Sequence, residues 1–148
     1  MKRSPIVAVH AAAGAAAFLI ILGFEVVTIT TEWSGGPAAI ASVRLGILFV
    51  LPVLIGLLIT AGGTGRSLAG ARPMGLVARK QRRMLLVAAN GVLILTPAAL
   101  FLAWKAQAGA FDAAFGVVQA AEFVFGAVNL TLISLNARDG MRLAGRLA

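Results

Sequence analysis

Apolar residues in this chain do not alternate with polar ones; they come in four long blocks separated by short polar or basic breaks. The blocks run from about Ile6 to Thr28, Ala38 to Ala61, Met84 to Trp104 and Ala113 to Leu135. Crossing the hydrocarbon of a bilayer takes roughly 20 helical residues at about 1.5 Å each, and every block meets that length. Hydrocarbon offers backbone N–H and C=O groups no partners, so each block must satisfy its own hydrogen bonds as a helix. The two-residue alternation of a membrane strand is missing from these Ala- and Leu-rich runs. The pattern predicts an all-α membrane protein, a four-transmembrane-helix bundle forming a single polytopic domain over residues 1–148. The basic opening ahead of the first block has the charge pattern of a secretory signal. Its apolar run is too long for one, however, and its small residues, Ala11 to Ala17, stand at the start. The block is read as a retained span.

Composition agrees with this solvent. Sixty per cent of the chain is apolar, its mean hydropathy is +0.97, and 12% is charged. Soluble domains carry about 25% charged residues. The charge is also uneven, with 13 Lys plus Arg against 5 Asp plus Glu. Lys2 and Arg3 precede the first block, and Arg66, Arg72, Arg79, Lys80, Arg82 and Arg83 lie between the second and third. Arg138, Arg142 and Arg146 follow the fourth, while Lys105, Glu32 and Asp112 fall on the opposite side. Positive loops stay inside, so both termini are expected in the cytoplasm, with Trp33 and Trp104 at the outer interface. The expected location is a bacterial inner (plasma) membrane. The partners are the bilayer itself and, at a cytoplasmic loop spanning 62–83 with Pro73 within it, anionic headgroups, each basic residue contributing about 1 kcal/mol. No nucleic acid is expected. A bundle this small also leaves room for a homodimer or a place in a larger membrane complex.

Several chemistries are excluded or disfavoured. Without cysteine there is no disulfide, thiolate nucleophile or Cys-ligated metal. The single histidine, His10, cannot supply a two-imidazole site, so no metal site is predicted. No catalytic residues are predicted, since the chain has no Ser–His–acid order and no carboxylates paired at one depth. The Gly-Gly-Thr-Gly-Arg-Ser run at 62–67 lacks the Gly-Lys-Ser/Thr ending of a phosphate-binding loop and is read as the end of the second span. No cofactor is predicted. Haem at His10, with a second ligand supplied by a dimer partner or a weaker group, or a quinone near Trp104 or His10, is the alternative.

Charged groups within hydrocarbon are costly and therefore mark candidate sites. Counted from each block's centre, Glu25 lies about 12 Å, Arg44 about 8 Å, Gln119 about 8 Å and Glu122 about 3 Å to the outer side of the midplane. Arg44 is expected to pair with either Glu122 or Glu25, with Gln119 filling remaining hydrogen-bond capacity. In the fourth block, Phe115, Gln119, Glu122, Gly126, Asn129, Ile133 and Asn136 recur at alternating steps of four and three, which places them on one helix face. That face is expected to point inward. Towards the cytoplasm, Asn90, Asn129 and His10 fall at about 6, 7 and 10 Å from the midplane. Asn90 and Asn129 are read as inter-helix contacts, which contribute about 0.6 kcal/mol on average. Three functions fit this pattern. The favoured one is binding or proton-coupled transport of a small solute at Arg44, Gln119, Glu122 and Glu25. The others are a non-enzymatic accessory or scaffold subunit and a haem- or quinone-binding redox subunit.

Overall fold

The computed structural model describes residues 3–71 and 74–146. Of the residues named above, Lys2, Arg72 and Pro73 lie outside the described residues, as does the side chain of Arg3. Every regular element among the described residues is helical: α1 (Arg3–Ser34), α2 (Pro37–Ala69), α3 (Gly75–Asn90), α4 (Thr96–Gln107) and α5 (Ala113–Leu143). A π-helical turn, Gly91–Leu95, joins α3 to α4 in one continuous rod. Four helical rods are thus long and apolar enough to cross a membrane.

The helices run beyond the apolar blocks that announced them. α1 continues six residues past Thr28, because the hydroxyls of Thr30, Thr31 and Ser34 fold back onto carbonyls three or four residues earlier and need no outside partner. Residues 62–69 and 75–83 are likewise helical, so the stretch read as a cytoplasmic loop from 62 to 83 is mostly helix ends. The turns are set by local chemistry. At Gly35 a β-carbon would collide with the Thr31 carbonyl, so the chain can reverse there only on glycine. Pro37 then opens α2 at a position whose N–H has no helical partner to lose. Gly70 ends α2 with φ 72°, in the left-handed region that favours glycine. Asp112 caps α5, its Oδ1 accepting the Phe115 N–H at 3.1 Å. Lys105 Nζ donates to Asp112 Oδ2 at 2.5 Å, and together these bonds hold the Asp112 carboxyl below the usual carboxylate range, the lysine contributing most.

Each rod packs on its sequence neighbours, and α1 closes the ring against α5. One end carries Trp33 and Trp104; the other carries Arg79, Lys80, Arg82, Arg83, Arg138, Arg142 and Arg146. The third rod changes partner along its length: α3 leans mainly on α5, and α4 mainly on α2. Pro97 explains the junction. It lacks the N–H that an α-helix would aim at Leu93, and the wider π-turn sits where that bond is missing.

The usual relation between polarity and burial is inverted. Arg44, Asn129 and Asp139 are among the largest fully buried side chains, while Phe49 is 76% and Leu93 73% exposed. In water such a surface would aggregate; in hydrocarbon it is the stable arrangement. Leucines and alanines from both ends complete the packing, with Ala17, Ile21 and Leu54 forming one cluster and Leu102, Ala106 and Phe115 the other.

Candidate functional site

The inward face of α5 organises the interior. Phe115, Gly126 and Asn129 are buried, and Gln119, Glu122, Ile133 and Asn136 are half-buried. Arg44 reaches this face from the second turn of α2 and is 1% exposed. Its Nη1 donates to Glu122 Oε2, and its Nη2 donates to Gln119 Oε1 at 2.9 Å. Nη2 also stands 3.8 Å from Glu32 Oε1, and the guanidinium lies 5.8 Å from the centre of the Phe115 ring. One buried cation thus faces two carboxylates, an amide and a ring.

Of the two partners expected for Arg44, the structure selects Glu122. Glu25 is not among its ion-pair partners; Glu32 takes the second place. The reason is the length of α1. Because the helix runs on to Ser34, Glu32 lies on it two turns beyond Glu25 and reaches the arginine layer. Glu25 is left deeper in the bundle than its counted depth implied. Its carboxylate occupies the space that a side chain at Gly126 would fill, one turn below Glu122 on α5. Glycine at 126 is therefore what admits Glu25 to the interior.

Glu25 and Glu122 both line a cleft of about 280 Å³ between α2 and the third rod. The cleft exists because α3 tilts away from α2 onto α5 below the π-turn. Its walls are almost entirely carbon, including Phe24, Leu51, Leu58 and Phe123, and its polar groups are few: the two carboxylates, Thr28, Thr96 and Asn129. Among the described residues, Glu25 has no hydrogen-bond or ion-pair partner, and its carboxylate is not sealed in. Glu122 is held by the arginine; Glu25 is not.

The second layer assembles as expected for two of its three members. Asn90 Nδ2 donates to Asn129 Oδ1 at 2.8 Å and to the Phe125 carbonyl at 2.9 Å, joining α3 to α5. Asn129 Nδ2 reaches the Val87 carbonyl at 3.4 Å. His10 stands apart, on the α1–α2 contact. Its Nδ1 donates to the Ala61 carbonyl at 2.9 Å, with the Thr64 hydroxyl at 3.2 Å. That carbonyl can only accept, so the proton is on Nδ1.

Comparison with protein-family models, curated proteins and solved structures gives no match to this chain.

Sequence reasoning missed two charged groups that matter. Glu32 lies beyond the apolar block that predicts the first span, so hydropathy does not mark it. Asp139, fully buried, pairs with Arg83 Nη1 at 2.7 Å and ties the middle of α3 to the last turns of α5. The signal for Asp139 was available, since it continues the α5 face three residues after Asn136.

Proposed function

We propose that this chain is a multi-pass protein of a bacterial inner membrane, with both termini cytoplasmic, that binds or moves a proton or small cationic solute through Glu25 and Glu122. The orientation rests on the basic residues gathered at one end and the tryptophans at the other. The basic helix ends of α2 and α3 would rest among anionic headgroups, and a homodimer would extend the enclosed path. One observation carries the function: a carboxylate without a partner, Glu25, faces an apolar cleft next to a carboxylate that has one. Charge in a low-dielectric slab is costly, so an unpaired carboxyl there holds either a proton or a cation. Exchange is balanced: one proton leaves the Glu25 carboxyl for each monovalent cation that takes its place. Arg44 fixes Glu122 as the counter-charge and prevents the two carboxylates from needing two ligands. Infrared difference spectra recorded across a pH step should show one carboxyl C=O band that disappears in Glu25→Gln. A wild-type spectrum without such a band would defeat this reading.

A second reading, an accessory subunit, is favoured by Arg44 taken alone, because its guanidinium is buried and already bonded to Glu122 and Gln119, as a helix-packing device would be. A stoichiometric membrane partner retained in mild detergent would support it, and a stable stand-alone oligomer would weaken it.

A further inference from the structure

We propose that the cleft takes its ligand sideways from the bilayer, and that the ligand is a lipophilic organic cation rather than a hydrated ion. This rests on Glu25 being the exchanging carboxylate and specifies what it exchanges with. Along the bundle axis, side chains narrow the cleft in both directions. Towards the tryptophan end, Arg44, Gln119 and Phe115 fill the interior, and Gln107 Nε2 donates to the Ala41 carbonyl at 2.8 Å where α4 meets α2. Towards the arginine end, the side chain of Met84 spans from α3 to α2, its methyl within 3.9 Å of the position a β-carbon at Gly62 would take.

The remaining side is open. Its rim is Ile55, Ile59 and Val92, the last two 69% and 62% exposed on the lipid-facing surface. A hydrated ion would have to shed its water to pass that rim, whereas a cation already dissolved among acyl chains enters without crossing a new barrier. The interior matches such a molecule. Carbon walls accommodate its apolar body, the rings of Phe24 and Phe123 offer faces to a delocalised positive charge, and Glu25 supplies the counter-charge. The charged groups bounding the site are Glu25 on α1, Arg44 on α2 and Glu122 on α5, with Glu32 one layer above. Arg44 is already engaged, so the site as a whole lacks a cation.

Equilibrium dialysis on purified protein in nanodiscs of neutral lipid tests this with three probes: tetraphenylphosphonium, the isosteric anion tetraphenylborate, and the small hydrophilic cation tetramethylammonium. Saturable binding of tetraphenylphosphonium alone is expected. Glu25→Gln should weaken it about 10- to 100-fold, the range for losing one charged partner. Val92→Trp, which narrows the rim, should weaken it similarly while leaving the Glu25 infrared band in place; Ile59→Trp serves if that variant does not fold. Equal binding of tetraphenylborate would show that an acyl chain or any apolar body suffices, and the proposal would be overturned. Equal binding of tetramethylammonium, or indifference to both rim variants, would overturn the sideways route. Absence of all binding with the infrared band intact removes this inference but leaves the exchanging carboxylate standing. Absence of the band removes both.

Discussion

Replacing Arg44 by methionine removes the one cation that holds α1, α2 and α5 together at a common level. In soluble proteins, deleting one partner of a buried pair costs about 3–5 kcal/mol, because the other charge is stranded. Two features reduce that figure here. The side chains of Glu122 and Glu32 are 16% and 23% exposed, so neither is fully stranded. Hydrogen bonds between membrane helices are also weak, about 0.6 kcal/mol on average, because partners exist in the unfolded state as well. A loss of about 2–3 kcal/mol follows for Arg44→Met. Glu122→Leu alone strands Arg44 and should destabilise comparably. The double variant should then be less destabilised than the sum of the two singles, with a coupling of about 1–2 kcal/mol. Unfolding in mixed detergent–SDS micelles, followed by far-ultraviolet circular dichroism, measures all three. If Arg44→Met costs less than about 0.5 kcal/mol, or the two losses simply add, the cluster is not the tie described.

Three further outcomes are expected. Gly126→Ala places a methyl group where the Glu25 carboxylate now lies, so it should displace that carboxylate and alter its infrared band, while Gly116→Ala, with open space around it, should not. Asn129→Leu removes the acceptor for Asn90 and the second donor to the Val87 carbonyl, and should cost about 0.6–1.7 kcal/mol in the same unfolding assay. The Asp112 carboxyl is held below its ordinary value by Lys105 and then by the Phe115 N–H, so the stability it contributes is fully present above the unfolded carboxylate value and disappears as pH falls through the lower, folded one. Stability measured against pH for wild type and Asp112→Asn should therefore differ at neutral pH and converge in strong acid.

The spans were legible because hydrocarbon is a uniform solvent that demands the same thing of every residue along a crossing. Outside it that demand stops, and hydropathy gives no warning that α1 continues through Glu32 or that α2 continues through residues 62–69. The inward face of α5 was equally legible, since helical spacing alone aligns Gln119, Glu122, Gly126 and Asn129. How far one helix is shifted along its neighbour is a different kind of information. It depends on which side chains can pass one another, and Gly126 decides it for Glu25. Counting from block centres therefore leaves Arg44 a choice between Glu122 and Glu25, and puts Glu25 too far out. The cleft was not legible at all, because it comes from the tilt of one rod at a π-turn.

The hydrogen bonds between helices are distributed unevenly along the bundle. Near the tryptophan end they cross from one helical pair to the other: Arg44 to Gln119 and Glu122, and Gln107 to Ala41. Near the arginine end they stay within a pair, His10 linking α1 to α2 while Asn90, Arg83 and Asn136 link α3 to α5. The hydrogen bonds named above thus pin the two pairs together at the tryptophan end, in the manner of a clothes-peg. Parting the two pairs at the arginine end would break none of the hydrogen bonds named within either, and Arg44 is the pin on which they would turn.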